Sequence, residues 1–314
     1  MGSKIVSFYR RIKRHLFYFS YCFFFLCYAK LKKEKEFHIF FDIAMGDACY
    51  GMAYLSYLVD KYQVKVVAPL HLQTMLETAY EDVLRKCQKC YYNRNSLKGR
   101  FITMASRDTH INRYLRRKNI YFTHPYSYYK LSDSIEKNYF QVLKEDIFRI
   151  SDELEIIYPQ IKITKTSLDS VVDDWSRVVV INPYSNSMFV EDMFFWIELI
   201  KMLRNDGKKI YTNVVDPQTP LEGTLPLSCS VFEFYNICRK AKLVISIRSG
   251  IIDFSISSGG NFFVLWYEHP DEIVGNSVKK LCDLNAWRIG NVRQCYYDSA
   301  NNSLNQFIDF YGSL

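Results

Sequence analysis

The sequence predicts an α/β fold in which two Rossmann-like domains face each other across a cleft, preceded by an N-terminal apolar helix with basic flanks. A strand–turn–helix–strand pattern spans residues 37–68, and a second series of the same kind begins at residue 177. Such alternation indicates parallel sheets, because parallel strands need a crossover connection that is usually a helix. The length of 314 residues suits two domains, and a hydrophobic fraction of 49% supplies material for their cores.

The N-terminal segment, residues 1–36, carries most of the net charge of +8. It holds nine basic and two acidic side chains, so 41 minus 9 leaves 32 basic groups elsewhere and 33 minus 2 leaves 31 acidic ones. A nearly neutral remainder has no broad basic face for a phosphate backbone, and we therefore expect no nucleic acid partner.

Within that segment, residues 16–29 read LFYFSYCFFFLCYA, an apolar run between RRIKRH and KLKKEKE. The run is shorter than the roughly 20 residues that span a bilayer, and positive charge on both sides opposes translocation. Aromatic and basic side chains together suit the headgroup region, so we predict a peripheral anchor, residues 4–33, on the cytoplasmic face of a bacterial inner membrane. The alternatives are an apolar helix packed on the protein's own body and a short transmembrane span.

The first domain, predicted over residues 37–165, begins with a short buried strand, a turn with the sequence AMGDACYG, a helix and a second strand. These elements are predicted at residues 37–43, 44–51, 52–61 and 64–68. Further helical pieces follow up to residue 150, with one strand near residues 101–104.

A polar stretch at residues 162–175 predicts the boundary to a second domain, residues 166–314. Short β-branched runs predict strands at residues 177–181, 209–215, 243–247 and 262–266. Helical patterns with Ser or Gly at their ends predict helices at residues 190–205, 230–240 and 251–257.

The first candidate site is the pair Gly46 and Asp47, where the first strand meets its helix. Ligands of open α/β sheets bind at the carboxyl ends of the strands. A glycine there lets a substrate approach the backbone, and a carboxylate can remove a proton from an acceptor hydroxyl. The alternative is that Asp47 only caps the helix.

The second candidate site is the loop NPYSNS, residues 182–187. Ser185, Asn186 and Ser187 can donate hydrogen bonds to a phosphate at a helix N-terminus, where the helix dipole also favours an anion. Ordinary capping of the following helix is the alternative.

The third candidate site is Arg248, Ser249 and Gly250, which follow the strand LVISI. Gly250 permits a turn, and Arg248 offers a planar fork for a diphosphate. Asp253 follows closely and joins this donor-binding set. The alternative is a buried ion pair between Arg248 and Asp253.

The nine cysteines are scattered and odd in number, which favours a reducing compartment. Cys87 and Cys90 form a CxxC, but no second pair completes a zinc site. We expect ordinary thiols there.

Together these motifs resemble the GT-B glycosyltransferases of the heptosyltransferase type, the family 9-like group of bacterial surface-polysaccharide enzymes. The resemblance is carried by FFDIAMGDACYGMAYL, VVVINPYSNS and AKLVISIRSGIIDFSISSGGNFFVLW, about half of the chain. Three features differ from that family: RSG replaces its D-T-G turn, no Lys follows the phosphate loop, and its basic heptose-binding segment is absent.

The resemblance implies an inverting sugar transfer from a nucleotide-sugar donor to a lipopolysaccharide, capsule or related glycan or glycolipid acceptor. By resemblance, Asp47 is the catalytic base, and Gly46 with the second and third sites binds the donor. No metal and no other cofactor is expected.

Two rival functions remain open at this point. One is a non-catalytic scaffold of the same fold that binds a glycan or nucleotide during polysaccharide assembly. The other is an enzyme such as a sugar-nucleotide epimerase, although the absence of G-x-G-x-x-G disfavours NAD enzymes.

Overall fold

The computed structural model describes residues 2–41, 44–123, 137–151, 153–162, 164–185, 192–267 and 282–314, with the side chains of 2–14 and 109 left undescribed. The chain forms two compact units. The N-terminal unit comprises Met1–Ile135 and Phe140–Ile157, and the C-terminal unit comprises Glu136–Tyr139 and Tyr158–Leu314.

The division at Tyr158 lies eight residues before the predicted boundary of 165/166. The intervening segment belongs to the C-terminal unit because its polar groups bond there. The hydroxyl of Tyr158 donates to the carbonyl of Trp287 at 2.7 Å. The Asn236 side-chain amide donates to the Thr164 hydroxyl at 3.1 Å. The segment 1–36 is likewise part of the N-terminal unit rather than a separate domain.

The N-terminal unit contains a parallel four-stranded sheet in the order β3-β2-β1-β4. Its strands are β1 Glu36–Phe40, β2 Gln63–Pro69, β3 Gln88–Tyr92 and β4 Ile120–Phe122. Its helices are α1 Gly2–Leu31, α2 Met45–Met52, α3 Leu55–Lys61, α4 Gln73–Ala79, α5 Glu81–Leu84, α6 Leu97–Arg107 and α7 Thr109–Arg116. Helical turns at Tyr139–Gln141 lead into a π-helix, Val142–Ile147.

Two sequence predictions in this unit are wrong. The expected turn at residues 44–51 is the helix α2, whose apolar side bears Ala48, Cys49 and Met52, all buried. The expected strand at residues 101–104 lies within α6. There the Ser96 hydroxyl caps the helix by accepting from the Gly99 N–H at 3.1 Å, and this local signal outweighs the short apolar run.

Helix α1 packs on the sheet face that also carries α6 and α7. Tyr21, Phe25 and Ala29 are buried there. The Phe25 ring lies 5.7 Å from the ring of Phe122. Of the alternatives given for the apolar run of residues 16–29, this contact matches the one in which the helix packs on the protein's own body. Among the described residues, no helix is both long enough and apolar enough to cross a bilayer.

The C-terminal unit contains a parallel six-stranded sheet in the order β10-β9-β8-β5-β6-β7. Its strands are β5 Val178–Asn182, β6 Lys209–Asn213, β7 Leu225–Leu227, β8 Leu243–Ile247, β9 Asn261–Trp266 and β10 Asn291–Tyr296. Its helices are α8 Met193–Asn205, α9 Val231–Lys240, α10 Gly250–Ser255 and α11 Ala300–Gly312. The strand β8 has the predicted bounds, and β5, β6 and β9 differ from theirs by one or two residues.

The central strands of this unit are buried along their whole length, as expected for a parallel sheet with covered faces. Side-chain caps begin the helices: Asp192 for α8, Ser230 for α9 and Ser299 for α11. Three elements that the sequence did not predict, β7, β10 and α11, extend and cover the sheet.

Candidate functional site

In a parallel sheet, all strands point the same way, so their carboxyl ends lie at one edge. We use the term carboxyl edge for the side of a sheet at which its strands end, and amino edge for the side at which they begin. Neither term refers to the outermost strands. The three candidate motifs each follow a strand: Gly46 and Asp47 follow β1, the loop at Ser185 follows β5, and Arg248 follows β8. Each motif therefore lies at the carboxyl edge of its own unit.

In the N-terminal unit, Gly46 is buried and Asp47 is half-buried in the first turn of α2. The N-cap of α2 is Ala44, which makes no side-chain cap hydrogen bond, so Asp47 is not the cap residue that the alternative required. A carboxylate in the first turn is stabilised by the helix dipole. The carboxyl edge of this unit thus presents an acid that is partly open to solvent.

Close packing at Gly51 fixes the helix that carries Asp47. A Cβ atom added at Gly51 would overlap the side chains of Thr123 and Phe41. These side chains follow β4 and β1, so α2 lies directly against the ends of both strands. Sequence reasoning missed Gly51, although a second glycine four residues after Asp47 was the available signal.

In the C-terminal unit, a buried hydrogen-bond network joins the ends of three neighbouring strands. The Asn213 side-chain amide donates to the Asn182 Oδ1 at 2.8 Å. The Asn182 amide donates to the Ser246 hydroxyl at 2.9 Å, and that hydroxyl donates to the Ile247 carbonyl at 2.7 Å. The three side chains are at most 7% exposed.

This network positions the loops that leave β5, β6 and β8. Sequence reasoning did not single out Asn213 or Ser246. The signal that could have identified Asn213 is a polar residue closing a buried apolar strand, as in KIYTN, which parallels Asn182 in VVVIN.

The loop after β5 is only partly described. Ser185 is half-buried, whereas Asn186 and Ser187 lie outside the described residues. The phosphate-binding role of these residues stays a prediction. The helix expected at residues 190–205 is described from Met193, where the Asp192 carboxylate accepts from the Phe194 N–H at 3.0 Å.

Arg248 forms the buried ion pair with Asp253 that was predicted as the alternative to phosphate binding. Its Nη2 lies 2.5 Å from the Asp253 Oδ1, with side-chain exposures of 8% and 5%. Its Nη1 donates to the Ser249 carbonyl at 2.9 Å, and its guanidinium lies 5.2 Å from the centre of the Trp266 ring. The guanidinium charge is therefore largely neutralised within the unit, which weakens Arg248 as a diphosphate ligand.

The two residues after Arg248, Ser249 and Gly250, are half-buried. Ser249 is the N-cap of α10 but makes no side-chain cap bond, and Gly250 is the first residue of the helix. No atom of the described residues is a hydrogen-bond partner for the buried Ser249 hydroxyl. The described residues therefore leave this hydroxyl without a bonded group.

The thiols show no catalytic arrangement. All nine cysteines lie among the described residues and none forms a disulfide bond. Burial raises the pKa of Cys87 to about 12, which disfavours a reactive thiolate. Among the described residues, no group of three or more His, Cys, Asp or Glu side chains could hold a metal ion.

No protein-family model matches the sequence, and no curated protein matches it. The solved structures of similar fold include two glycosyltransferases. One is the family 9 glycosyl transferase from Veillonella parvula, with a TM-score of 0.56 and 10% identity, covering 90% of this chain and 99% of that one. The other is the ADP-heptose lipopolysaccharide heptosyltransferase II of E. coli, with a TM-score of 0.52 and 10% identity, covering 88% and 99%. The chain has the two-domain α/β fold of these proteins, the GT-B fold.

Proposed function

We propose that this protein is a glycosyltransferase that moves a sugar from a nucleotide-sugar donor to a glycan or glycolipid acceptor of the bacterial surface, such as lipopolysaccharide or capsule. The observation that carries the proposal is the half-buried carboxylate of Asp47 at a carboxyl edge, within a fold shared along almost the whole chain with two glycosyltransferases. Carboxyl edges are where open α/β sheets bind ligands.

In this proposal, Asp47 accepts the proton of the acceptor hydroxyl as its oxygen bonds to the anomeric carbon of the donor sugar. The bond from that carbon to the diphosphate breaks, and the nucleoside diphosphate leaves with its electron pair. Attack opposite to the leaving group inverts the configuration. Gly46 lets a substrate approach the backbone closely.

Donor binding is assigned to the C-terminal unit. Ser185, Ser249 and the N–H of Gly250 are the donors for the diphosphate, with the predicted help of Asn186 and Ser187. Because Asp253 neutralises Arg248, that pair mainly holds the start of α10 in place. The transfer is proposed to need no metal ion.

The test combines donor binding with turnover. A thermal-shift screen against ADP-, UDP-, GDP- and CMP-sugars identifies the donor, since a ligand of the native state raises the melting temperature. Asp47→Asn is then expected to lower the transfer rate by about 10²–10⁴-fold, the usual contribution of a general base, with donor binding unchanged. Asp60→Asn, which removes a 71% exposed carboxylate of the same unit, is the control. Undiminished turnover of Asp47→Asn would remove Asp47 from this role.

The buried pair of Arg248 and Asp253 favours a second candidate, a non-catalytic scaffold that binds a glycan or nucleotide. A cation already paired within the protein is a poor ligand for a departing diphosphate. The two functions are separated by incubating the identified donor with the protein and measuring release of nucleoside diphosphate. A scaffold binds the donor and releases none.

We further propose that α1 holds the protein on the inner-membrane surface, at its cytoplasmic face. One row of α1 packs on the sheet, but Leu16, Phe19 and Phe23 on another face are 63%, 70% and 60% exposed. Leu26 continues this row at 39% exposure. Spacings of three and four residues place all four on one side of a helix. Basic residues precede and follow the row in the sequence, as in helices that lie in the headgroup region.

Vesicle sedimentation tests this attachment. Phe19→Ser with Phe23→Ser is expected to lower binding to anionic vesicles by more than tenfold, because each exposed phenylalanine contributes roughly 1.5–3 kcal/mol when buried. The control is Phe194→Ser, which removes a phenylalanine 54% exposed on α8. Equal binding of all three proteins would contradict attachment through α1.

A further inference from the structure

The N-terminal unit has an open pocket of about 210 Å³ that none of the motifs above includes. Its lining residues come from the end of α7, from β4 and from the segment around the π-helix: Arg113, Arg116, Arg117, Tyr121, Asp146, Ile147 and Arg149. Four of these seven side chains are guanidinium groups.

The pocket lies at the amino edge of the sheet, away from Asp47. Arg113 and Arg116 occupy the last turn of α7, which leads directly into the first residue of β4. Asp47 follows the carboxyl end of β1, and β1 runs parallel to β4. The two features are therefore at opposite edges, separated by the length of a five-residue strand, about 16 Å. The pocket is not part of the proposed acceptor site.

The charges in the pocket are poorly balanced. Among the described residues, Asp146 is the one carboxylate in the lining, and together with the four arginines it gives a net charge of +3. In the described part of the chain, no carboxylate lies within salt-bridge distance of Arg113, Arg117 or Arg149. By contrast, Arg85, which follows α5 in the same unit, pairs with Glu81. Like charges held this close repel one another, and a bound anion would relieve that repulsion.

The backbone holds Arg149 at the pocket in an unusual conformation. Its φ of +55° lies in the left-handed region, which costs a non-glycine residue roughly 1 kcal/mol or more. The π-helix ends two residues before it, and the neighbouring Phe148 packs against Tyr121 with ring centres 5.6 Å apart. The Arg149 guanidinium lies in the same lining as those of Arg113, Arg116 and Arg117, at the end of α7 and just after it.

The chemistry of the lining fits a phosphate group. Guanidinium groups present paired N–H donors that match phosphate oxygens, and Arg clusters are a recurrent means of binding phosphorylated ligands. Burial raises the pKa of Tyr121 to about 12, so its hydroxyl keeps its proton at neutral pH and can donate a hydrogen bond.

We propose that this arginine pocket binds a phosphomonoester or diphosphate group, at a site separate from the one that carries out sugar transfer. The proposal does not depend on the transferase function. A lipid headgroup and a soluble phosphate compound would present the same chemistry to the pocket.

The first experiment measures binding of pyrophosphate to the full-length protein by calorimetry. Arg117→Gln with Arg149→Gln is expected to weaken binding at least tenfold, and Arg117→Lys, which keeps the charge but not the fork, is expected to weaken it less. The control is Arg94→Gln with Arg100→Gln, two exposed arginines of the same unit outside the pocket. Circular dichroism checks that each variant is folded.

The second experiment distinguishes the source of the phosphate. Phosphatidylcholine vesicles with and without phosphatidic acid are sedimented with the same proteins. If the pocket variant loses both pyrophosphate and phosphatidic acid binding, the ligand is a lipid headgroup. If it loses pyrophosphate alone, the ligand is soluble. Pyrophosphate affinity that is undetectable in the natural protein, unchanged in the pocket variant, or equally reduced in the control would overturn the proposal.

Discussion

The polar residues at the carboxyl edges of the two units differ in their burial and in their hydrogen bonding. In the N-terminal unit, Asp47 is half-buried at the start of α2. In the C-terminal unit, Asn182, Asn213 and Ser246 are buried and bonded to one another, and Arg248 is buried against Asp253. The first edge leaves an acid within reach of solvent, whereas the second uses most of its polar groups to fix the ends of its own strands.

The difference shows that a polar motif after a strand has two possible roles, and that burial decides between them. A charge removed from water is tolerated when an opposite charge and hydrogen bonds compensate for lost hydration. Arg248 meets that condition through Asp253, so its structural role comes first. Asp47 is less buried and is therefore the stronger candidate for chemistry.

The largest expected effect concerns the ion pair of the C-terminal unit. Asp253→Asn leaves the Arg248 charge buried without its carboxylate and is expected to reduce the free energy of unfolding by about 3–5 kcal/mol. The double variant Arg248→Met with Asp253→Leu removes both charges, and its free energy of unfolding is expected to fall much less. Urea unfolding measures both. If the double variant also abolishes donor binding, Arg248 binds the donor. That result would contradict the difference described here between the carboxyl edges of the two units.

The next effect concerns the packing that holds Asp47. Gly51→Ala introduces a Cβ atom that overlaps Thr123 and Phe41 and is expected to destabilise the N-terminal unit by about 3 kcal/mol or less. Gly312→Ala, in a helix with open space around the added atom, is the matched control and is expected to be neutral or slightly stabilising. Thermal unfolding distinguishes them. Equal melting temperatures would show that α2 is not closely docked.

A smaller effect is expected at His38, which joins α1 to β1. Its Nδ1 lies 2.8 Å from the Tyr28 hydroxyl and its Nε2 lies 3.1 Å from the Glu36 carboxylate. Burial lowers the pKa of His38 from 6.5 to about 4, and Glu36 opposes this only in part. Between pH 4 and pH 6.5, His38 is therefore protonated to a smaller extent in the folded state than in the unfolded state. Stability is therefore complete above pH 6.5 and falls as the pH falls towards 4, by on the order of 2 kcal/mol.

This pH dependence is measured by urea unfolding at intervals from pH 4 to pH 7. His38→Gln is expected to flatten the slope between pH 4 and pH 6.5. His71→Gln is the control, because His71 belongs to the same unit and does not join α1 to the sheet. An unchanged slope in His38→Gln would assign the pH dependence to other groups.

The smallest expected effect concerns the helix caps, which occur in both units. Ser96 accepts from the Gly99 N–H in the N-terminal unit, and Ser230 accepts from the Glu233 N–H in the C-terminal unit. Ser96→Ala and Ser230→Ala are each expected to destabilise their unit by about 1 kcal/mol. Differential scanning calorimetry measures the losses, and losses confined to one unit would show that the caps are not equivalent.

Much of the secondary structure of the C-terminal unit was predictable, because buried parallel strands such as β5 and β8 are continuous β-branched runs bounded by polar residues. The N-terminal unit was harder. Residues 44–51 contain two glycines, and their pattern indicates a turn when read locally. Helix α2 forms because its Gly51 permits close contact with the strand ends, and that contact involves Thr123, more than seventy residues away in sequence.

The sequence by itself determined the alternation of strands and helices, the two-domain α/β class and the concentration of charge in the N-terminal segment, since these depend on periodicity and composition. Only the tertiary structure decided which polar residues are buried with partners, that one face of α1 covers the sheet, and that arginines of α7 meet Arg149 around one pocket. The physical reason is that burial and pairing depend on contacts between distant parts of the chain, which local sequence patterns do not encode.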